Sequence, residues 1–201
     1  ECWHSIVPYE GPRCRKCGKP LVSEASTTCG ECLKDEPAFE SAVSYGLYDG
    51  ALRKAINLLK YHNVKRLSRP LSDILLQMKV PDVDAVLPVP LYETRLRKRE
   101  FNQSALIAKY MAEGLGSKLI LDSLVKVRDT KAQVGLNSKE RRKNMRNAFG
   151  IKNRELIEGK QILLIDDVAT TGATIRECSK VLKKAGAGPV HVITLAHGAL
   201  D

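Results

Sequence analysis

Apolar residues along this chain recur with two periods, one suited to strands and one to helices, and the two alternate from about residue 42 onward. Ala42–Tyr48 reads as a strand. Gly50–Leu59 sets Leu52, Ile56 and Leu59 on one helical face, and Leu67–Met78 does the same with Leu71, Ile74, Leu75 and Met78. Ala85–Val89 is a short apolar run that stops at Pro90, the pattern of a buried strand meeting a loop. Ser104–Gly114 gathers Ala105, Ile107, Ala108 and Met111, with Leu115 just beyond, into another helix. Ile162–Ile165 holds no polar residue, which suits a strand covered on both faces. A loop follows, then a helix over Ala173–Ala185 with Ile175, Val181 and Leu182, and a last strand over Val190–Leu195. The series predicts an α/β fold, a mostly parallel sheet flanked by helices.

Two regions fall outside this pattern. Arg128–Arg146 is polar and strongly basic, and reads as a mobile loop merging into a short helix. The first 37 residues show no convincing period and carry five of the six cysteines. The expected organisation is therefore a cysteine-rich segment over residues 1–37 and one larger domain over residues 38–201. The chain opens Glu1-Cys2 without a methionine, so the natural start is expected to lie upstream, and a leader could have been lost with it.

Composition narrows the classes. At 201 residues with 43% hydrophobic and 28% charged positions, the chain has the make-up of an ordinary globular protein. No stretch approaches the roughly 20 apolar residues of a membrane helix. Lys and Arg number 33 against 23 acids, a net charge of +10 that favours anionic partners: nucleotides, phosphorylated sugars or nucleic acid. Charge alone does not choose among them.

The cysteines are paired. Cys14-Arg-Lys-Cys17 and Cys29-Gly-Glu-Cys32 have the spacing of a closed four-thiolate zinc site, in which zinc would be structural. Reduced cysteines or a redox pair are the alternatives. Four thiolates and Zn²⁺ sum to −2, which would leave the chain clearly basic. Metal-type CxxC pairs belong in a reducing compartment, so a cytoplasmic location is expected. Cys178 falls mid-helix and reads as a core residue.

The strongest signal is Ile162-Leu-Leu-Ile-Asp-Asp-Val-Ala-Thr-Thr-Gly-Ala-Thr174. A buried strand delivers two adjacent acids, then a small-residue loop opens a helix. Vicinal ribose hydroxyls match Asp166 and Asp167, directly or through hydrated Mg²⁺. The loop Ala169, Thr170, Thr171, Gly172, Ala173 and Thr174 lets backbone N–H groups approach a phosphate at a helix N-terminus. The GK[ST] of a P-loop is absent. A solvated turn with a threonine cap is the plainer alternative.

Ile162–Thr174 resembles the phosphoribosyl pyrophosphate loop of type I phosphoribosyltransferases. Nearly the whole chain resembles the ComF family of competence-related proteins, through Cys14–Cys32, Leu59-Lys-Tyr61, Leu87-Pro-Val-Pro-Leu91, Arg95–Gln103 and the series Thr130, Gln133, Leu136, Arg141, Asn144, Ala148-Phe149. In that family a further CxxC often precedes the knuckle, and Cys2 would be its remaining half. The resemblance implies that Asp166 and Asp167 are catalytic. It also implies that Val89, Pro90 and Leu91, with Arg95 and Arg99, hold the pyrophosphate of phosphoribosyl pyrophosphate with Mg²⁺. Lys60 and Tyr61 would lie near the cleft, and the basic loop would close over ligand. A glycosyltransferase with an unknown acceptor, linked to DNA uptake and natural transformation, is the implied activity. The alternative is a non-catalytic phosphoribosyl sensor or single-stranded-DNA handler working with competence helicase machinery. Lys139, Arg141, Arg142, Lys143 and Arg146 could equally grip a nucleic-acid backbone.

Overall fold

The computed structural model describes residues 3–130 and 137–198. In chain order its elements are α1 (Gly30–Lys34), β1 (Ser41–Leu47), α2 (Gly50–Tyr61), α3 (Ser68–Leu76), β2 (Ala85–Pro88), α4 (Glu93–Arg99), α5 (Gln103–Leu115), β3 (Lys118–Leu119), β4 (Leu124–Lys126), α6 (Ser138–Met145), β5 (Phe149–Ile151), β6 (Ile162–Ala169), α7 (Ala173–Lys184) and β7 (Val190–His197). Five strands form one parallel sheet in the order β1-β7-β6-β2-β3, and β4 pairs antiparallel with β5. The expected α/β sheet flanked by helices is present.

The sheet is covered on both faces, and strand alternation divides its residues between two cores. Ala85, Leu87, Ile162, Leu164, Val190 and Val192 pack toward Ile175, Cys178 and Leu182 of α7. Val86, Leu163, Ile165, Ile193 and Leu195 pack toward α2, α3 and α5 through residues such as Ile56, Leu71 and Ile107. Cys178 is fully buried in the first core, as its place in the helical pattern implied.

Several boundaries depart from the sequence reading. The strand expected to end at Ile165 runs on to Ala169, because β7 keeps pairing with it through Asp166↔Thr194 and Ala169↔His197. Asp166 and Asp167 therefore belong to the strand itself and not to a loop after it. The basic run after Tyr92 is helix α4. The short helix expected within Arg128–Arg146 is present as α6, with a full capping box between Asn137 and Glu140. Gln133 and Leu136, like Cys2, lie outside the described residues. The three-residue strands β4 and β5 are too short to leave a period in the sequence.

The N-terminal segment lies along the open edge of β1. Tyr9 N donates to Tyr45 O, Ala42 N to Lys16 O, and Arg13 to Ser44 O, so an otherwise unpaired edge is satisfied. Gly18 makes this approach possible: its φ is +69°, and a Cβ there would sit 2.6 Å from the Ala42 carbonyl.

Leu164 is fully buried in the central strand. Leu164→Ala should therefore lower unfolding free energy by about 2–5 kcal/mol, read by chemical denaturation at fixed slope.

Candidate functional site

Parallel strands place their carboxyl ends together, and the loops leaving β2 and β6 face one another there. After β6 the chain turns through Thr170 and Thr171 to Gly172, whose φ of +70° is a left-handed conformation that side chains rarely adopt, and α7 begins at Ala173. Its N-terminal N–H groups and dipole are directed into this corner. After β2, Val89 N donates to Ile165 O, and Asn102, the cap of α5, donates from its amide to Val89 O at 2.9 Å. The two loops are thus fixed to each other and to the start of α5.

The acids sit between them. Asp166 and Asp167 are both buried. Lys60 Nζ, at the end of α2, lies 2.8 Å from Asp167, and Gln103 donates to the other Asp167 oxygen at 2.5 Å. Gln103 in turn accepts from Arg99 at 2.5 Å. Ser104 Oγ and Asp167 N donate to Asp166 Oδ1 at 3.2 and 2.9 Å. Burial, reinforced by the charge of Asp167, pushes the Asp166 carboxyl up to about 7. Burial opposes the charge of Lys60, but Asp167 outweighs it and holds the ammonium above its usual range. Lys126, near Phe149 and hydrogen-bonded to Thr130, is lowered by burial and by the neighbouring Arg95.

Both acids, Lys60, Arg99, Gln103 and Lys126 line one cleft of about 320 Å³. It brings together Val89, Pro90, Leu91, Arg95, Arg99, Asp166, Asp167, Ala169, Thr170, Gly172, Ala173 and Thr174, all singled out from sequence. Thr171 is the exception: it is not among the lining residues, and its Oγ1 accepts from Ala173 N at 3.4 Å within the turn. The helical repeat sorts the basic run. Arg95 and Arg99, four residues apart, face the cleft, whereas Arg97 pairs with Glu93 and Lys98 is exposed. Gln103, Lys126, Tyr48 and Phe149 line the cleft without having been marked for it. The one available signal was Asn102-Gln-Ser104, three polar residues opening an otherwise apolar helix.

The four paired cysteines form a second cluster. All four sulfurs lie within 4.8 Å of one another, and Cys17 and Cys29 are 3.6 Å apart. A disulfide would need about 2 Å, whereas tetrahedral thiolates around zinc, at ~2.3 Å each, stand about 3.8 Å apart. Burial pushes Cys32 up to about 12 and Cys17 higher still, while backbone donors at Cys17 and Cys29 overcome burial to bring Cys14 to about 7. Four thiolates here need a cation among them, and the group could hold a metal ion.

The parallel sheet flanked by helices, with a cleft at the carboxyl ends of its strands, is the fold of a phosphoribosyltransferase-type domain. A model of the phosphoribosyl transferase domain matches residues 102–199. Along 196 residues the chain is 34% identical to Competence protein F of Haemophilus influenzae, covering 92% of this chain and 84% of that protein. The DNA utilization protein YhgH of Salmonella typhi is 32% identical, with 89% and 81% covered, and Competence protein ComFC of Streptococcus pneumoniae 30% identical, with 89% and 79% covered. The chain belongs to the ComF family of competence proteins. Among solved structures, glutamine phosphoribosylpyrophosphate amidotransferase from B. subtilis is 26% identical at a TM-score of 0.45, over 63% of this chain and 25% of that one. No helix among the described residues is long and apolar enough to cross a membrane.

The raised Asp166 carboxyl carries a pH signature. The folded form holds its proton to about 7 against 3.8 for the free group, so its share of stability is full below about 4 and lost as pH rises to 7. Asp166→Asn removes this loss. Melting curves should show the variant gaining on the native protein between pH 4 and 7, with a constant gap above; parallel curves would exclude the raised carboxyl.

Proposed function

We propose that this protein binds 5-phosphoribosyl pyrophosphate, or a close phosphoribosyl relative, with Mg²⁺ in the cleft at the carboxyl ends of β2 and β6. The observation that carries this reading is the convergence of a buried acid pair, a small-residue turn at a helix N-terminus and two same-face arginines on one cavity. Asp166 and Asp167 accept from ribose hydroxyls. The 5′-phosphate takes the Ala169–Thr174 turn and the start of α7. Pyrophosphate meets the Val89–Leu91 backbone with Arg95 and Arg99, whose guanidinium forks suit phosphate oxygens. Mg²⁺, when bound, neutralises pyrophosphate charge, and the protonation-prone acid pair is an environment that a cation relieves.

In a transfer reaction the bond from C1 to the pyrophosphate oxygen breaks, C1 gains oxocarbenium character, and a nucleophile on the acceptor closes the new bond. The protein's part is positioning and charge stabilisation. We assign zinc to Cys14, Cys17, Cys29 and Cys32 as a structural ion, place the protein in the cytoplasm, and, from the names of its relatives, place it in DNA uptake and use. A second reading, a single-stranded-DNA handler without transfer chemistry, is favoured by α6, whose Lys139 and Lys143 are exposed beside Arg141 and Arg142.

Calorimetric titration of phosphoribosyl pyrophosphate with Mg²⁺ should give saturable binding, weakened at least about a hundredfold by Asp166→Asn with Asp167→Asn, the scale of two lost charge-assisted contacts. Unchanged affinity in that variant would refute the site. Metal analysis of protein purified without chelator should return one zinc per chain; less than about half an equivalent is incompatible with so tight a class of site. For the second reading, oligonucleotide affinity should fall as salt rises, and a flat response excludes phosphate contact.

A further inference from the structure

Two arginines join the cysteine cluster to the helices that border the cleft. Arg176, in the first turn of α7, donates to Cys32 Sγ at 3.0 Å and to the Asp35 carbonyl at 2.7 Å, with the Asp35 carboxylate 3.6 Å away. Arg142, on α6, meets the Glu31 carboxylate at 2.7 Å. Glu31 lies between Cys29 and Cys32, inside the turn that presents both sulfurs. Its position is therefore set by whatever holds the four sulfurs together. The neighbour of Arg142 on α6, Arg141, lines the cleft.

Helix α6 has little apolar anchorage of its own. Among its described side chains only Met145, in its last turn, is buried. Polar ties do the rest. Arg128 donates to the carbonyls of Asn144 and Arg146 at 2.7 and 2.8 Å, and just beyond the helix Asn147 N donates to Glu177 of α7 at 2.7 Å. All three secure the C-terminal end. Glu31–Arg142 is a tie that reaches the part of α6 beside Arg141, and it comes from the cysteine turn. Its two side chains are 32% and 38% exposed, so the pair adds little to stability. What it does is fix a direction.

We propose that Glu31 and Arg142 are a positioning pair: the metal-loaded cysteine turn, clamped to α7 by Arg176, uses Glu31 to hold α6 so that Arg141 faces the pyrophosphate end of the cleft. The ligand named here rests on the phosphoribosyl reading above; the mechanical link between the cluster and α6 does not. Loading of a site outside the cleft thereby sets the strength of a contact made by a residue more than a hundred positions away in sequence.

The test uses the full chain and three variants: Glu31→Gln, Arg142→Gln and both together. Metal content and melting temperature should match the native protein in Glu31→Gln. Amide hydrogen exchange over Ser138–Met145 should rise about threefold in each variant, the scale of one part-exposed ion pair, with α3 and α5 unchanged. Affinity for phosphoribosyl pyrophosphate with Mg²⁺ should fall about fivefold in Glu31→Gln, part of one charge-assisted contact. The double variant should be no worse than the worse single, since all three break the same link. Metal stripped from the native protein, with the chelator removed before Mg²⁺ is added, should reproduce the exchange in α6. Native-like exchange in Glu31→Gln, or losses that add in the double variant, would overturn the proposal. If the native protein takes up no phosphoribosyl pyrophosphate, the phosphoribosyl reading fails, and exchange over α6 still decides this one.

Discussion

Everything at the functional end of this protein is arranged around two neighbouring carboxylates taken out of water. A buried ionised acid costs several kcal/mol even after relaxation, and adjacent acids raise that cost. The chain supplies Lys60, Gln103 and Ser104 to offset it, from the end of α2 and the start of α5. Burial, reinforced by the charge of Asp167 and only partly offset by one ammonium shared between two acids, is why Asp166 holds its proton to about 7. Yet Arg95, Arg99 and Lys126 border the same cavity. The site thus wants donors or a cation at one end and an anion at the other. A phosphorylated sugar with a divalent ion, the ligand proposed for this cleft, would meet both demands, where a simple anion would meet only one.

The legible part of this site is its local part. Ile162–Thr174 is contiguous, and an apolar strand, two acids and a threonine–glycine turn could be read in order. The length of β6 could not, because it is set by pairing with β7, whose Thr194 and His197 lie about 28 residues away in sequence. Lys60 looked like any lysine at a helix end. Its burial comes from α2 packing against β1 and β7, which brings the ammonium to Asp167 of β6, and only the family resemblance placed it near the cleft. The basic run after Tyr92 was visible as charge, but choosing Arg95 and Arg99 over Arg97 and Lys98 took the helical repeat of α4 with a known inward face. The short strands β4 and β5 left no period to read.

The cysteine cluster divides in the same way. Its spacing announced four converging sulfurs, a local property of two tight turns. The partners outside it, Arg142 and Arg176, are separated from Glu31 and Cys32 by 111 and 144 residues, and nothing in their neighbourhoods marks them among 33 basic residues. Two arginines of ordinary appearance are what turn a cysteine-rich appendage into a structural neighbour of the cleft.

That neighbourhood also has a backbone basis. The segment carrying the cysteines satisfies the open edge of β1 through Tyr9, Lys16 and the close approach at Gly18. β1 pairs with β7, and β7 pairs with β6, which ends in the acids. The cluster is therefore referenced to Asp166 and Asp167 by two strand ladders and to the Thr170–Gly172 turn by Arg176 at the start of α7, two independent routes. A cluster serving only to stabilise the N-terminal segment would need the first route. The second, which touches α7 within a turn of Gly172, is the one that makes its position matter to the cleft.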